Sequence, residues 1–198
     1  GWWIGYQTVG GLGQDYTSYP LTQATANPYA FESVLRNGGI GIQDATMHAN
    51  VTGAGSFSTT SNVLTLAAGE QDTVAGIATF TPSTTGLYNV EMWAKADSAG
   101  LGNVITYSDT ASKITMVTDY VYGKDNGSND GGYWRLNRIL PAPGGFEVSS
   151  NYDIYADADL YAVDAHISDW SIVGTEVYVK LYEEDISGGD PIPLAQSD

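Results

Sequence analysis

The sequence predicts an all-β chain built of antiparallel β-sandwich modules. Three observations carry that prediction. Apolar residues recur at every second position in the most regular stretches, clusters of turn-forming residues separate those stretches, and the composition supplies what both need. Among 198 residues there are 14 Tyr, 5 Trp, 4 Phe and 24 Gly. Aromatic side chains suit pleated, half-buried surfaces, and glycine supplies the positive φ of tight turns. A hydrophobic fraction of 42% is that of a folded chain rather than a disordered one.

Taken in order, the strands announce themselves by alternation. Residues 43–51 set Ala45, Met47, Ala49 and Val51 against Thr46, His48 and Asn50. Residues 88–94 set Tyr88, Val90, Met92 and Ala94 against Asn89, Glu91 and Trp93. A strand over 112–118 closes the first module. Further on, residues 160–167 oppose Tyr161, Val163, Ala165 and Ile167 to Ala162, Asp164 and His166, and residues 175–182 oppose Val177, Val179 and Leu181 to Glu176, Tyr178 and Lys180. One apolar and one mixed face is the pattern of strands that line a sandwich core. Turns are expected at Arg36-Asn37-Gly38-Gly39, Ala67-Ala68-Gly69-Glu70, the run from Thr81-Pro82 to Gly86, Asp125-Asn126-Gly127 and Ser187-Gly188-Gly189-Asp190. The expected organisation is a lead-in strand or linker over 1–19, a first sandwich over 20–118 and a second β module over 119–198, with the boundary near Thr118-Asp119. The second stretch is short for a free-standing sandwich, so it is expected to pack onto the first or to continue in a longer chain. The start at Gly1 fits a processed product or a piece of a longer protein.

Charge and composition narrow the function. Asp plus Glu number 23 and Lys plus Arg number 7, a formal net charge of −16. Such a surface repels nucleic acid and anionic lipid, whose binding requires cationic side chains. The sequence lacks cysteine, which excludes disulfides, zinc–thiolate sites and thiol nucleophiles. Its two histidines, His48 and His166, are too few for most zinc sites. It contains neither a signal-peptide pattern nor an apolar run long enough to span a bilayer.

The order of short motifs carries a resemblance. Val34-Leu35-Arg36-Asn37-Gly38-Gly39 precedes an alternating strand and is followed by Leu64 to Gly69-Glu70. Then come Thr79-Phe80-Thr81-Pro82, Gly86-Leu87-Tyr88-Asn89-Val90, Ala96-Asp97, a short loop with Asn103 and a last strand through Val117. This succession resembles the CARDB-like, immunoglobulin-like adhesion modules of bacterial surface proteins. There, an N-x-G turn precedes a "GE" turn, an "F-x-P" corner and a "G-x-Y" strand start. The resemblance implies an immunoglobulin-like antiparallel sandwich over 20–118. Tyr88 then has two readings: a tyrosine corner, whose hydroxyl returns to backbone, or an ordinary core residue. The remainder, from Asp119-Tyr120-Val121-Tyr122 through Ile154-Tyr155-Ala156-Asp157 to the strand ending Leu181-Tyr182-Glu183, is similar to repeated β modules of large secreted Bacteroidota proteins. That similarity implies a second, jelly-roll-like sandwich.

Candidate sites are of two kinds. Asp125, Asn126, Ser128, Asn129 and Asp130 gather oxygen-bearing side chains among glycines, as a calcium ion requires, although an exposed loop uses the same residues and the pattern is not that of an EF-hand. Asp153, Asp157 and Asp159 form a second acidic group, which an unbroken strand would turn to one side. Calcium is the one cofactor the sequence points to. Aromatic residues are the other kind: Trp2, Trp3, Tyr6, Tyr16 and Tyr19 near the start, Tyr133 and Trp134 after the Gly-rich loop, and Trp170. Their flat faces would stack on sugar rings, or fill thin sandwich cores. No catalytic residues are expected. The sequence has no G-x-S-x-G elbow, and Gly10-Gly11-Leu12-Gly13 is not followed by Lys-Ser/Thr. His48 and His166 each fall on the polar face of a predicted strand.

The expected function is therefore that of a non-catalytic extracellular module, secreted or at the cell surface. It would serve as spacer, stalk or partner-binding unit and could form filaments by strand addition. Its partners would be neighbouring domains of a longer chain or other surface proteins, with neither nucleic-acid binding nor membrane insertion. The alternative is a carbohydrate-binding module attached to a polysaccharide-degrading enzyme.

Overall fold

A computed structural model describes residues 16–98, 105–124, 147, 149–169, 171–183 and 191–197. The chain is all-β, with one short helix among the described residues. It divides into two compact units: Gly1–Ser128 with Ser150–Asp157, and Asn129–Ser149 with Ala158–Asp198.

The first unit is a β-sandwich. It contains β1 (Ser18–Pro20), α1 (Leu21–Ala26), β2 (Glu32–Arg36), β3 (Gln43–Gly53), β4 (Phe57–Thr60), β5 (Leu64–Leu66), β6 (Gln71–Ala75), β7 (Gly86–Asp97), β8 (Ile105–Tyr107) and β9 (Ala111–Thr118). The large sheet runs β1-β9-β7-β3-β4, with β5 on β3 and β8 on β7, while β2 and β6 form a separate antiparallel pair. All pairings are antiparallel except β1 with β9, which is parallel.

The period-2 pattern explains which faces meet. Ala45, Met47, Ala49 and Val51 of β3 and Tyr88, Val90, Met92 and Ala94 of β7 are all buried, as their alternation predicts. They share one core with Leu35 and Val74 of the small sheet. A row of aromatic contacts runs through that core, Tyr29–Phe31, Phe31–Phe57, Phe57–Phe80 and Phe80–Tyr88, with centroids 4.6–5.8 Å apart. Large rings let a thin sandwich bury much apolar area with few residues.

Asn37 holds the turns at one end. Its side-chain amide donates to the carbonyls of Gly41 and Leu66 and accepts from the Gly39 N–H. The backbone of Asn37 bonds to Glu70 and Gly69 of the neighbouring turn. At the other end Tyr88 forms a tyrosine corner, its hydroxyl donating to the Thr84 carbonyl at 2.8 Å. The turn beside it needs glycine twice. Gly53 has φ +111° and a Cβ there would strike the Leu87 carbonyl, while Gly86 has φ +136° and a Cβ would lie 2.7 Å from that of Ala54.

A hidden repeat shapes the large sheet. Between Met92 and Lys95 of β7, opposite Ala111 and Tyr107, the partner chain carries one extra residue. The same happens between Ala45 and His48 of β3, opposite Leu64 and Thr60. A serine sits at each bulge. Ser108 Oγ accepts the Ala94 N–H at 2.8 Å, and Ser61 Oγ accepts the Met47 N–H at 3.0 Å. Each serine's N–H returns to the same residue's carbonyl, and each hydroxyl donates to the next carbonyl along, that of Asp109 or Asn62. Met47 and Ala94 are themselves directly paired, so the halves are related by an approximate two-fold between them. The spacing that carries Met47 onto Ala94 also carries Ala49, Gly53, Gly55, Thr59 and Ser61 onto Ala96, Gly100, Gly102, Thr106 and Ser108.

Two expectations are corrected. The first unit does not begin at residue 20 or close near Thr118-Asp119: Tyr16 and Tyr19 are in its core, and it takes back Ser150–Asp157. Polar side chains reaching the backbone of that later segment account for its return, as set out below. The predicted strand over 160–167 is not formed. Its apolar side chains Tyr161, Val163 and Ile167 are exposed, because alternation supplies a tendency while a ladder requires a paired strand. Of the predicted strand over 175–182 only the end is realised, in β10 (Lys180–Glu183), which pairs antiparallel with β11 (Ile192–Gln196). That sheet is the strand structure of the second unit among the described residues.

Candidate functional site

The calcium candidates Asp125, Asn126, Ser128, Asn129 and Asp130 lie outside the described residues, as do the aromatic candidates Trp2, Trp3, Tyr6, Tyr133, Trp134 and Trp170. Asp153, Asp157 and Asp159 are described and exposed, but the unbroken strand that would align them is absent. Among the described residues no group of three or more acidic or histidine side chains could hold a metal. Tyr16 and Tyr19, expected as exposed aromatics, are buried at 3% and 0% exposure. Burial wins because their rings find partners: Tyr16 packs on Tyr19, Tyr122 and Tyr152 at 4.9–6.0 Å, and Tyr19 meets Tyr122 edge-on.

These tyrosines form one of two concentrations of aromatic and polar side chains in the first unit. It is a cradle for the returning segment. Tyr16 Oη accepts the Asp153 N–H at 2.7 Å, and Tyr122 Oη donates to the Asp153 carbonyl at 3.1 Å. Gln23 on α1 is 1% exposed and uses both ends of its amide. Oε1 accepts from the N–H groups of Tyr155 and Ala156, and Nε2 donates to the Ala156 carbonyl at 2.7 Å. A single side chain thus supplies what a neighbouring strand would. Lys124 Nζ stands 4.9 Å from the Tyr16 ring and 5.2 Å from the Tyr152 ring, a cation–π contact on both. Burial pushes the Tyr16 hydroxyl up to about 12, and raises those of Tyr19 and Tyr122 further. The Tyr16 and Tyr122 phenols keep their protons at neutral pH and serve the returning segment as hydrogen-bond partners.

The second concentration lies on the outer face of the large sheet, over the two-fold. His48 and Trp93 are directly opposite on β3 and β7, with rings 5.5 Å apart and nearly parallel at 7°. The next outward pair is Thr46 with Lys95, and Tyr107 of β8 stands opposite Lys95 with 66% of its surface exposed. On the other side the row continues with Asn50 and Glu91, flanked by Ser58 and Ser112. His48 is held below the usual imidazole range, first by burial against the sheet and then by the Lys95 charge. Its Nε2 is occluded without a hydrogen-bond partner, so the ring serves as a neutral support for the indole. The alternation had put Trp93 on the polar face; a large aromatic among Asn, Glu and Lys was the available signal for this face.

In the second unit, Lys180 pairs with Glu147 at 3.1 Å, beside a shallow open groove lined by Tyr182, Pro193 and Leu194. Exposed pairs of this kind contribute little.

No protein-family model, curated protein or solved structure matches the chain. No helix among the described residues is long and apolar enough to cross a membrane, which says nothing of a β-barrel.

Proposed function

We propose that this chain is a non-catalytic structural or adhesion module of an extracellular bacterial surface protein, acting as spacer, stalk or partner-binding unit. The observation that carries the reading is the cradle. Polar side chains of the first unit, buried Tyr16 and Gln23 and half-buried Tyr122, bind the backbone of residues 153–156, a segment more than a hundred residues beyond Tyr16 and Gln23 and 31 beyond Tyr122. Groups that another protein would aim at a substrate are used here to close a β framework on itself. The tyrosine corner at Tyr88 supports the immunoglobulin-like resemblance, since that bond pins a strand crossing of the kind found in such sandwiches. The acidic surface suits a module that stays soluble among neighbours.

Immunogold labelling of intact producing cells with an antibody against this chain tests the location: label on the outer surface is expected, and label confined to the cytoplasm would overturn it. Single-molecule pulling of tandem copies tests the mechanical part. A distinct high-force event for the first unit, weakened by Gln23→Ala, is expected, and featureless extension at low force would count against a spacer role.

A further inference from the structure

We propose that the outer face of the large sheet, centred on Trp93, His48 and Tyr107, binds a neutral glycan chain. The position argues for a ligand read by side chains. β3 and β7 are central strands, paired on both sides, so no main-chain groups are free there to accept another strand. An extended peptide adding to a sheet needs an edge. What this face offers is rings and polar side chains alone.

Its chemistry suits sugars. Tyr107 is directly opposite Lys95, the next outward residue of β7 after Trp93, so the two aromatic residues hold diagonal positions on one face of the sheet. A pyranose presents a flat apolar C–H face to such rings and a rim of hydroxyls around it. That rim needs both donors and acceptors. Thr46, Thr60, Asn50, Ser112, Lys95 and Glu91 supply them in rows on either side of Trp93. The His48 ring stacks along one side of the indole, and the two serine bulges flank the pair, a device that twists the sheet and re-aims side chains. The site is therefore built rather than a scatter of exposed residues.

Charge selects among glycans. The chain carries −16 overall, and Asp44, Glu91 and Asp97 share the outer face with Lys95. Uronate-rich or sulfated chains meet net repulsion there, whereas neutral ones do not. The inference does not rest on the proposed surface role: a spacer that ignores sugars and a sugar binder that is no spacer give different results.

The test is calorimetric titration of the whole chain with hexasaccharides of β-glucan, xylan, mannan and α-glucan, beside a polyuronate of equal length. Binding of at least one neutral oligomer is expected, with the polyuronate weaker. Trp93→Ala and Tyr107→Ala are each expected to weaken it about 10-fold, the loss of one ring–sugar contact. Leu87→Ala, on the same face but away from the rings, should leave it unchanged. Tyr107 is exposed, so its variant keeps the test valid even if Trp93→Ala fails to fold. Absence of heat with every neutral oligomer at millimolar concentration would overturn the proposal. So would binding unchanged in Tyr107→Ala and in Trp93→Phe/Tyr107→Ala, or a preference for the polyuronate.

Discussion

At the scale of single residues, two side chains lend themselves to direct test. Tyr88 is fully buried and its hydroxyl donates to the Thr84 carbonyl while also meeting Thr84 Oγ1 at 3.1 Å. Tyr88→Phe keeps the ring in the core and removes only the hydroxyl, leaving the carbonyl short of a partner. A loss of about 1–2 kcal/mol in denaturant unfolding is expected, with the m-value unchanged; no loss would make Tyr88 an ordinary core residue. His48 gives a pH-dependent counterpart. Its folded pKa lies below the ordinary 6.5, so the unfolded chain takes up the proton first as pH falls. Both states are neutral well above pH 6.5 and no penalty exists there. Below 6.5 stability declines until the folded pKa is passed, then this contribution levels off. The difference in melting temperature between wild type and His48→Phe should follow that course. A difference independent of pH would show that His48 does not keep a depressed pKa.

Whole elements depend on side chains that act as missing strands. The segment around Tyr155 has no ladder among the described residues, and Gln23 provides its two acceptor contacts and one donor contact from a six-residue helix. Gln23→Leu retains volume but leaves those backbone groups unpaired. Hydrogen exchange at Tyr155 and Ala156 should accelerate by at least ~10-fold while β3 and β7 keep their protection, a local opening rather than global unfolding. Equal protection in the variant would remove the clamp from the account. The same elements show how much was legible in the sequence. β3 and β7 announced themselves because each buries an apolar face along most of its length, which forces alternation on the side chains. Gln23 did not, since a polar residue in a short helix carries no mark of being buried and bonded to a distant backbone. The residues over 160–167 alternate as cleanly as β3 yet form no strand, because pattern describes which sides a strand would show and not whether a neighbour is there. The Ser61 and Ser108 bulges were visible only as a repeat spacing shared with Gly53, Gly55, Gly100 and Gly102, too sparse to notice until their hydrogen bonds gave it meaning. Of the candidate face, Trp93 and His48 were already assigned to the outward side of their strands. Their pairing required the β3–β7 register, which alternation cannot fix.

For the molecule as a whole, the tyrosine cradle ties stability to high pH. Tyr16 keeps its proton to about 12, against an ordinary value of 10.0, and Tyr19 and Tyr122 keep theirs beyond that, all chiefly because burial disfavours the phenolate. The unfolded chain therefore releases these protons first. Stability is intact below pH 10 and falls as pH rises above it, until the phenols of the folded chain ionise in turn. Alkaline titration should show this as one event: the phenolate absorbance of Tyr16, Tyr19 and Tyr122 and the loss of the β-sheet circular dichroism signal develop together. Tyr19→Phe removes one titrating group from the core while keeping its ring, so its unfolding midpoint should move to higher pH relative to its own neutral stability. Gln23→Leu should move it lower, since a segment already loosened exposes Tyr16 and Tyr122 to hydroxide sooner. Phenolate absorbance that develops smoothly from pH 10 with the sheet signal unchanged would mean that the cluster is open to solvent, and the cradle would then not be what closes the first unit.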